Sequence, residues 1–244
     1  MTTATLTAAF FVVALLFSSV GHAGATGYLA VMALVGVEPQ LMRPTALSLN
    51  IVVAVIGTWQ FTRAGYFRWK LFWPFAVTSI PAAYLGGQVV LPSSVYKPVV
   101  GAVLIVSAIR FLATARYADQ DKIVPPQLLP RLLIGGALGF AAGLTGIGGG
   151  VFLSPLMLWF RWGETREVSA VAASFILVNS IAGLAGNWTA TQYLPPQILL
   201  WVGAVVVGGA LGSHLGSRRL GTPVLRRLLA IVLILSGVKL IAGV

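Results

Sequence analysis

The residues of this sequence that could do chemistry lie in its least charged stretches. Two glycine-rich segments interrupt apolar runs, Gly21-His22-Ala23-Gly24-Ala25-Thr26-Gly27 and Gly143-Leu144-Thr145-Gly146-Ile147-Gly148-Gly149-Gly150. Glycine reaches positive φ and lets another backbone approach closely. A helix that starts just after such a break presents unpaired N–H groups and the positive end of its dipole. That is an anion site made of backbone. The first break offers Gly21, His22, Gly24 and Thr26, and the second offers Thr145, Gly146, Gly148, Gly149 and Gly150. The competing reading is that these glycines only let helices pack tightly. A phosphate loop is excluded, because no Lys-Ser or Lys-Thr follows.

Polar side chains in the apolar runs are few. Asn50 and Asn179 can each offer NH2 donors to an oxyanion, or hydrogen-bond across helices. Ser48 and Ser174 can donate hydroxyls, or bond the carbonyl one turn back. His22 could titrate near neutrality, or serve as a neutral hydrogen-bonding residue. Arg43, beside Pro44, could steer an anion; its default role is to snorkel toward lipid headgroups. Arg110 and Lys239 read as anchors at helix C-termini, where cations complement the dipole.

Several other chemistries are excluded. The chain has no cysteine, so thiolate metal ligands and thiol nucleophiles are absent. No Asp or Glu falls in the long apolar runs, and the two histidines are far apart, so no metal site, no cofactor and no orienter for a serine nucleophile is expected. The protein is expected not to be an enzyme. Its basic residues are dispersed between long uncharged runs, which argues against nucleic acid as a partner.

The elements that must position these residues follow from charge. Of 244 residues 58% are hydrophobic and only 9% charged, far below the ~25% of a soluble domain. The formal net charge is nevertheless +11. A bilayer core needs ~20 apolar helical residues. Runs without charge at 1–37, 44–62, 71–96, 132–160 and 168–217 supply that repeatedly. Helices are expected near 5–20, 26–36, 44–62, 71–90, 97–114, 130–144, 150–160, 166–187, 196–214 and 223–242. The start of the chain resembles a signal peptide but lacks a positive n-region, so cleavage is not expected.

The two halves resemble each other. A shift of 129 places Asn50 on Asn179, Ser107 on Ser236 and Arg110 on Lys239; a shift of 126 places Ser48 on Ser174 and Gly86 on Gly212; a shift of 125 places Gly21 on Gly146 and Gly24 on Gly149. Three basic clusters stand out: Arg63, Arg68 and Lys70; Arg116, Lys122 and Arg131; and Arg218, Arg219, Arg226 and Arg227. All three should be cytoplasmic, with the linkers at 91–97 and 188–196 external. That assignment requires 130–160 to enter the membrane and return, and 5–36 to do the same from outside. The expectation is an all-α polytopic membrane protein of two inverted repeats, each a broken re-entrant helical hairpin plus three transmembrane helices. The first repeat spans 1–116, a cytoplasmic linker 117–129 and the second repeat 130–244. Both termini would be external. Small-residue helix faces permit a homodimer without requiring one. Composition and spacing reach an anion transporter in contact with lipid, or an anion channel of the same architecture.

Gly143 to Pro155, GLTGIGGGVFLSP, resembles the glycine-rich motif of the TauE/SafE family of sulfite and organosulfonate exporters. Thr45-Ala46-Leu47-Ser48 and Ala172-Ala173-Ser174 are similar to the small-polar helix starts that follow that family's two motifs. The resemblance covers essentially the whole chain. The first motif departs from it, with His22 and Thr26 where a plainer glycine run is usual. The resemblance implies export of a small sulfur-containing anion, such as sulfite or sulfoacetate, from a bacterial-type inner or plasma membrane.

Overall fold

The computed structural model describes residues 3–19, 22–113, 124, 127–218 and 223–242. Gly21 and most of the linker, including Arg116 and Lys122, lie outside the described residues. Among those described there are ten α-helices and no strand: α1 (Thr3–Ser19), α2 (Ala25–Leu34), α3 (Pro39–Arg63), α4 (Trp69–Gln88), α5 (Ser93–Ala113), α6 (Leu128–Thr145), α7 (Gly150–Trp159), α8 (Thr165–Gly186), α9 (Ile198–Arg218) and α10 (Pro223–Ala242). A 3-10 helix, Trp188–Tyr193, follows α8. These match the elements expected from charge-free runs, with two shifts. Helix α5 starts at Ser93 rather than near 97. Helix α3 starts at Pro39 rather than Pro44. Pro39 fits the first helical turn, where its missing N–H is not needed, and Pro44 is carried inside the helix at the loss of one backbone bond.

Among the described residues, five helices are long and apolar enough to cross a membrane: α3, α5, α6, α8 and α9. Helix α4 falls short on hydropathy because Trp69, Trp73, Pro74, Pro81, Tyr84, Gly86 and Gly87 dilute its aliphatic content.

Packing fixes the directions of the helices. Leu47 lies at Gly183, Asn50 at Ser180 and Gly57 at Ala173, so α3 and α8 run antiparallel. Helices α4 and α6 run parallel, because Gly135, Gly139 and Gly143 face Phe75, Ser79 and Ala83 in step. Helices α1 and α9 are likewise parallel, with Gly208 against Phe11 and Gly212 against Leu15. Lipid tails are as apolar as leucine, so these helices gain by close backbone contact rather than by escaping water. A Cβ at Gly139 or Gly143 would collide with the Ser79 or Ala83 backbone.

These directions show where the broken segments enter. The start of α6 lies beside the start of α4, since Arg131 Nη1 donates to Lys70 O at 3.0 Å. The loop after α7 lies there too, with the Trp162 ring 6.0 Å from Phe75. The start of α8 is held at the same place by the Arg68–Glu167 pair at 2.6 Å. The unit α6–α7 therefore leaves and returns at one end of the molecule, the end carrying Arg63, Arg68, Lys70 and Arg131. The unit α1–α2 does so at the other. Phe10 packs edge-on against Trp201 near the start of α9, at 5.1 Å. Four residues, 35–38, join α2 to the start of α3.

The helix pairings survive exchange of α1–α5 for α6–α10. Helix α1 packs on α9 as α6 packs on α4, and α3 on α9 as α8 on α4; the pairs α3–α8 and α5–α10 exchange with themselves. The halves interlock, since each broken segment seats on a long helix of the other half.

Candidate functional site

Both breaks have the backbone their glycines imply. Gly24 precedes α2 with φ 103°, and Gly146, Gly148 and Gly149 precede α7 with φ of 86°, 76° and 77°. Side chains other than glycine rarely adopt such values. All four glycines and Gly150 are buried. Helices α2 and α7 are ten residues each and start deep inside the bundle, with buried residues along most of their first turns.

The first break is tied to both central helices. The Ala25 N–H, at the start of α2, donates to Asn50 Oδ1 at 3.2 Å. Asn50 Nδ2 donates to Ser180 Oγ on α8 at 2.9 Å. Asn50 thus sits between the α2 start and α8, and the Gly148 backbone passes against its Nδ2. Tyr28, fully buried, donates its hydroxyl to Ala23 O at 3.0 Å and braces the turn from inside. Thr26 Oγ1 is buried without a hydrogen-bond partner. His22 lines a void of about 10 Å³ with Ser18, Val53, Gly57, Phe61 and Ser213. A space of that size is at the lower limit for one water.

The second break is held by α8. Gly150 packs on Ile176, and Gly149 on Phe175. Helix α7 is preceded by a glycine, which has no side chain to cap it. Asn179 lies buried on α8; its Nδ2 donates to Phe175 O one turn back at 2.7 Å, and its Oδ1 has no partner. Asn50 and Asn179, equivalent in sequence, therefore do different things here. The partner of Asn50 is Ser180, one residue beyond Asn179, because the antiparallel crossing sets the register. Ser174 and Thr145 bond carbonyls one turn back, at Ala170 and Ala141. Ser48 is half-buried on α3, near this crossing.

Arg43 does not snorkel. It is 5% exposed, and its guanidinium turns inward. Nη1 donates to Val89 O at 2.8 Å and to Leu144 O at 3.3 Å, and Nη2 donates to Gly87 O. It thereby joins the C-terminal ends of α4 and α6, where carbonyls lack helical partners. Its stem touches the Gly146 backbone. Tyr96 closes the same corner, donating its hydroxyl to Thr145 O at 3.1 Å. Arg43 and Tyr96 line a cavity of about 420 Å³ together with Pro39, Gln40, Leu91 and Asn187. It lies at the end opposite the Arg63–Lys70 cluster.

The two cations read as anchors each stand at the end of a half-helix. Lys239 Nζ donates to Leu34 O, the last residue of α2, at 2.8 Å. Arg110 lies 5.8 Å over the ring of Trp159, the last residue of α7. Each places positive charge where the dipole of the short helix ends. At the basic end, Glu167 pairs with Arg68, and Arg166 donates to the Tyr66 hydroxyl. The Glu167 carboxylate raises the Arg68 pKa above its ordinary value, through the hydrogen bond first and its charge second.

Sequence reading did not single out Tyr96, Ser180, Tyr28 or Asn187. Tyr and Ser are common in apolar helices; the crossing of helices distant in sequence brings Ser180 to Asn50, Tyr96 to Thr145 and Asn187 to the cavity, while Tyr28 braces its own break from α2. No group of His, Asp or Glu that could hold a metal ion occurs among the described residues.

Long apolar helices with irregular backbone buried between them mark an integral membrane protein. The family model described as Sulfite exporter TauE/SafE matches residues 6–240. The chain belongs to that family. It is 44% identical over 239 residues to Probable membrane transporter protein y4hK of Sinorhizobium fredii, covering 97% of both chains. It is 28% identical over 240 residues to Probable membrane transporter protein YjnA of Bacillus subtilis, covering 91% of this chain and 92% of that one. A relative from Methanocaldococcus jannaschii, Probable membrane transporter protein MJ0441, is 28% identical over 149 residues, covering 60% of this chain and 55% of its own. No solved structure matches the chain.

Proposed function

We propose that the protein is a secondary transporter that exports a small sulfur-containing anion, sulfite or an organosulfonate such as sulfoacetate, by alternating access between two inverted repeats. The observation that carries this reading is the convergence of both breaks on Asn50: the Ala25 N–H at the α2 start donates to its Oδ1, and Gly148 of the second break lies against its Nδ2. Antiparallel packing of the equivalent helices α3 and α8 supports the inversion. An irregular backbone at membrane depth is stable only where protein or a cavity satisfies it.

In this reading the anion binds between the breaks. Backbone N–H groups after Gly24 and Gly149, the Thr26 hydroxyl and the amides of Asn50 and Asn179 replace its hydration. The half-helix dipoles supply partial positive charge. Among the described residues, no carboxylate lies there to repel an anion. Rocking of one half against the other exposes the site to each side in turn. A membrane potential negative inside favours anion exit by ~2.3 kcal/mol per charge per 100 mV. The basic end faces the cytoplasm and both termini face outward, following the positive-inside rule.

The test uses purified protein in liposomes loaded with sulfite or sulfoacetate. Protein-dependent, saturable efflux that shows counter-transport is the expected result. Absence of efflux for every sulfur oxyanion tried overturns the assignment, and efflux without saturation or counter-transport favours a channel.

A further inference from the structure

We infer that Arg43 is the anchor of a second anion site, at the floor of the cavity opposite the basic end, and that it takes a small organic oxyanion by its headgroup. This rests on the anion-transport reading and adds a waiting position on the outer side of the breaks.

Three observations carry it. First, the cation is buried and forms no salt bridge among the described residues. A buried charge is costly unless it is paired, and carbonyl dipoles neutralise none of it. Second, its donors are not used up. A guanidinium has five N–H groups; the three bonds to Val89, Leu144 and Gly87 leave two, one of them on Nε, which is buried and has no partner. Arginine suits such a place because its planar N–H array matches an oxyanion. Third, the cavity it lines is divided in character. Gln40, Asn187 and Thr189 provide polar contacts, whereas Pro39, Leu91 and Pro92 are apolar. At about 420 Å³ it is far larger than a bare inorganic oxyanion and in the range of small-ligand pockets. A headgroup on Arg43 would leave a short organic body against the apolar wall.

The site belongs to one side only. At the 126-residue shift the equivalent of Arg43 is Ser169, whose hydroxyl is bonded to Thr165 O. An anion leaving the breaks toward the cavity therefore meets a buried cation that has no counterpart at the equivalent position of α8. Leu144 O, among the Arg43 partners, belongs to the second glycine-rich segment, so occupation would be felt at that break.

The test is binding of 2-hydroxyethanesulfonate to detergent-purified protein by calorimetry, with ethylene glycol as the uncharged control, for the wild type and three variants. Arg43→Gln removes the charge. Arg43→Lys keeps charge and removes the planar array. Leu91→Trp adds bulk to the cavity lining at a residue that is not a hydrogen-bond partner of Arg43, and guards against misfolding of the arginine variants. Affinity is expected to fall at least tenfold for Arg43→Gln and Leu91→Trp, and severalfold for Arg43→Lys, with no binding of the glycol. Wild-type affinity in Leu91→Trp, or no binding to the wild type, overturns the second site. Efflux by the wild type in liposomes is read separately, so loss of this site leaves the transport reading standing.

Discussion

Asn50→Asp isolates the electrostatic claim at the first break. The substitution is nearly isosteric. A carboxylate oxygen can still accept from the Ala25 N–H, and Ser180 can turn its hydroxyl to donate where it accepted from Asn50 Nδ2. A negative charge at a helix start is itself favourable, by ~0.3–1 kcal/mol, so Ala25 and the α2 dipole favour the ionised form. Folding should therefore be preserved. An anion bound between the breaks would feel the opposite effect. With the substrate charge ~5 Å from the new carboxylate and an effective dielectric of ~20, repulsion is ~3.3 kcal/mol. That corresponds to an affinity roughly 250-fold weaker, since ~1.4 kcal/mol is tenfold. The assay is concentration-dependent efflux from liposomes at pH 8, with the thermal unfolding midpoint in detergent as the control. A variant that folds normally and transports with wild-type apparent affinity would refute an anion site at the α2 start. Asn50→Leu separates charge from hydrogen bonding, because it leaves Ala25 N–H and Ser180 unpartnered. It should lower stability by ~0.6–1.7 kcal/mol, from the average to the maximum measured for such bonds in membranes.

Other perturbations test the frame. Gly143→Val is expected to prevent stable folding, because its side chain would meet the Ala83 and Gly87 backbone; size-exclusion chromatography of detergent extracts checks this, and a monodisperse, wild-type-like peak would count against the tight α4–α6 seam. Lys239→Ala removes the cation at the end of α2 and should lower the unfolding midpoint by the equivalent of ~0.3–1 kcal/mol, with Lys239→Arg near wild type. The absence of native cysteine makes labelling clean: Leu91→Cys and Arg63→Cys should react with a membrane-impermeant maleimide from opposite sides, Leu91→Cys from outside. Labelling of both from one side would overturn the proposed orientation.

The sequence by itself determined the elements and the family. Charge is too costly in a bilayer to be placed casually, so gaps between charges marked the helices to within a few residues for most of the chain. Glycine runs in apolar surroundings marked the breaks, because other residues do not tolerate the φ of Gly24, Gly146, Gly148 and Gly149. The correspondence of Asn50 with Asn179, and of Arg110 with Lys239, was legible because both pairs fall at the same 129-residue shift.

Tertiary structure decided which groups meet. No local rule says that Asn50 pairs with Ser180 rather than Asn179; that depends on where two helices 130 residues apart cross. The same holds for Arg43. A lone arginine near the end of an apolar run snorkels when lipid surrounds it. Here the ends of α4 and α6 offer unpaired carbonyls on its inner side, and Tyr96 and Asn187 complete the cavity. Periodicity and charge act along the chain, but hydrogen-bond partners and cavities arise between helices, and only the packed structure brings those helices together.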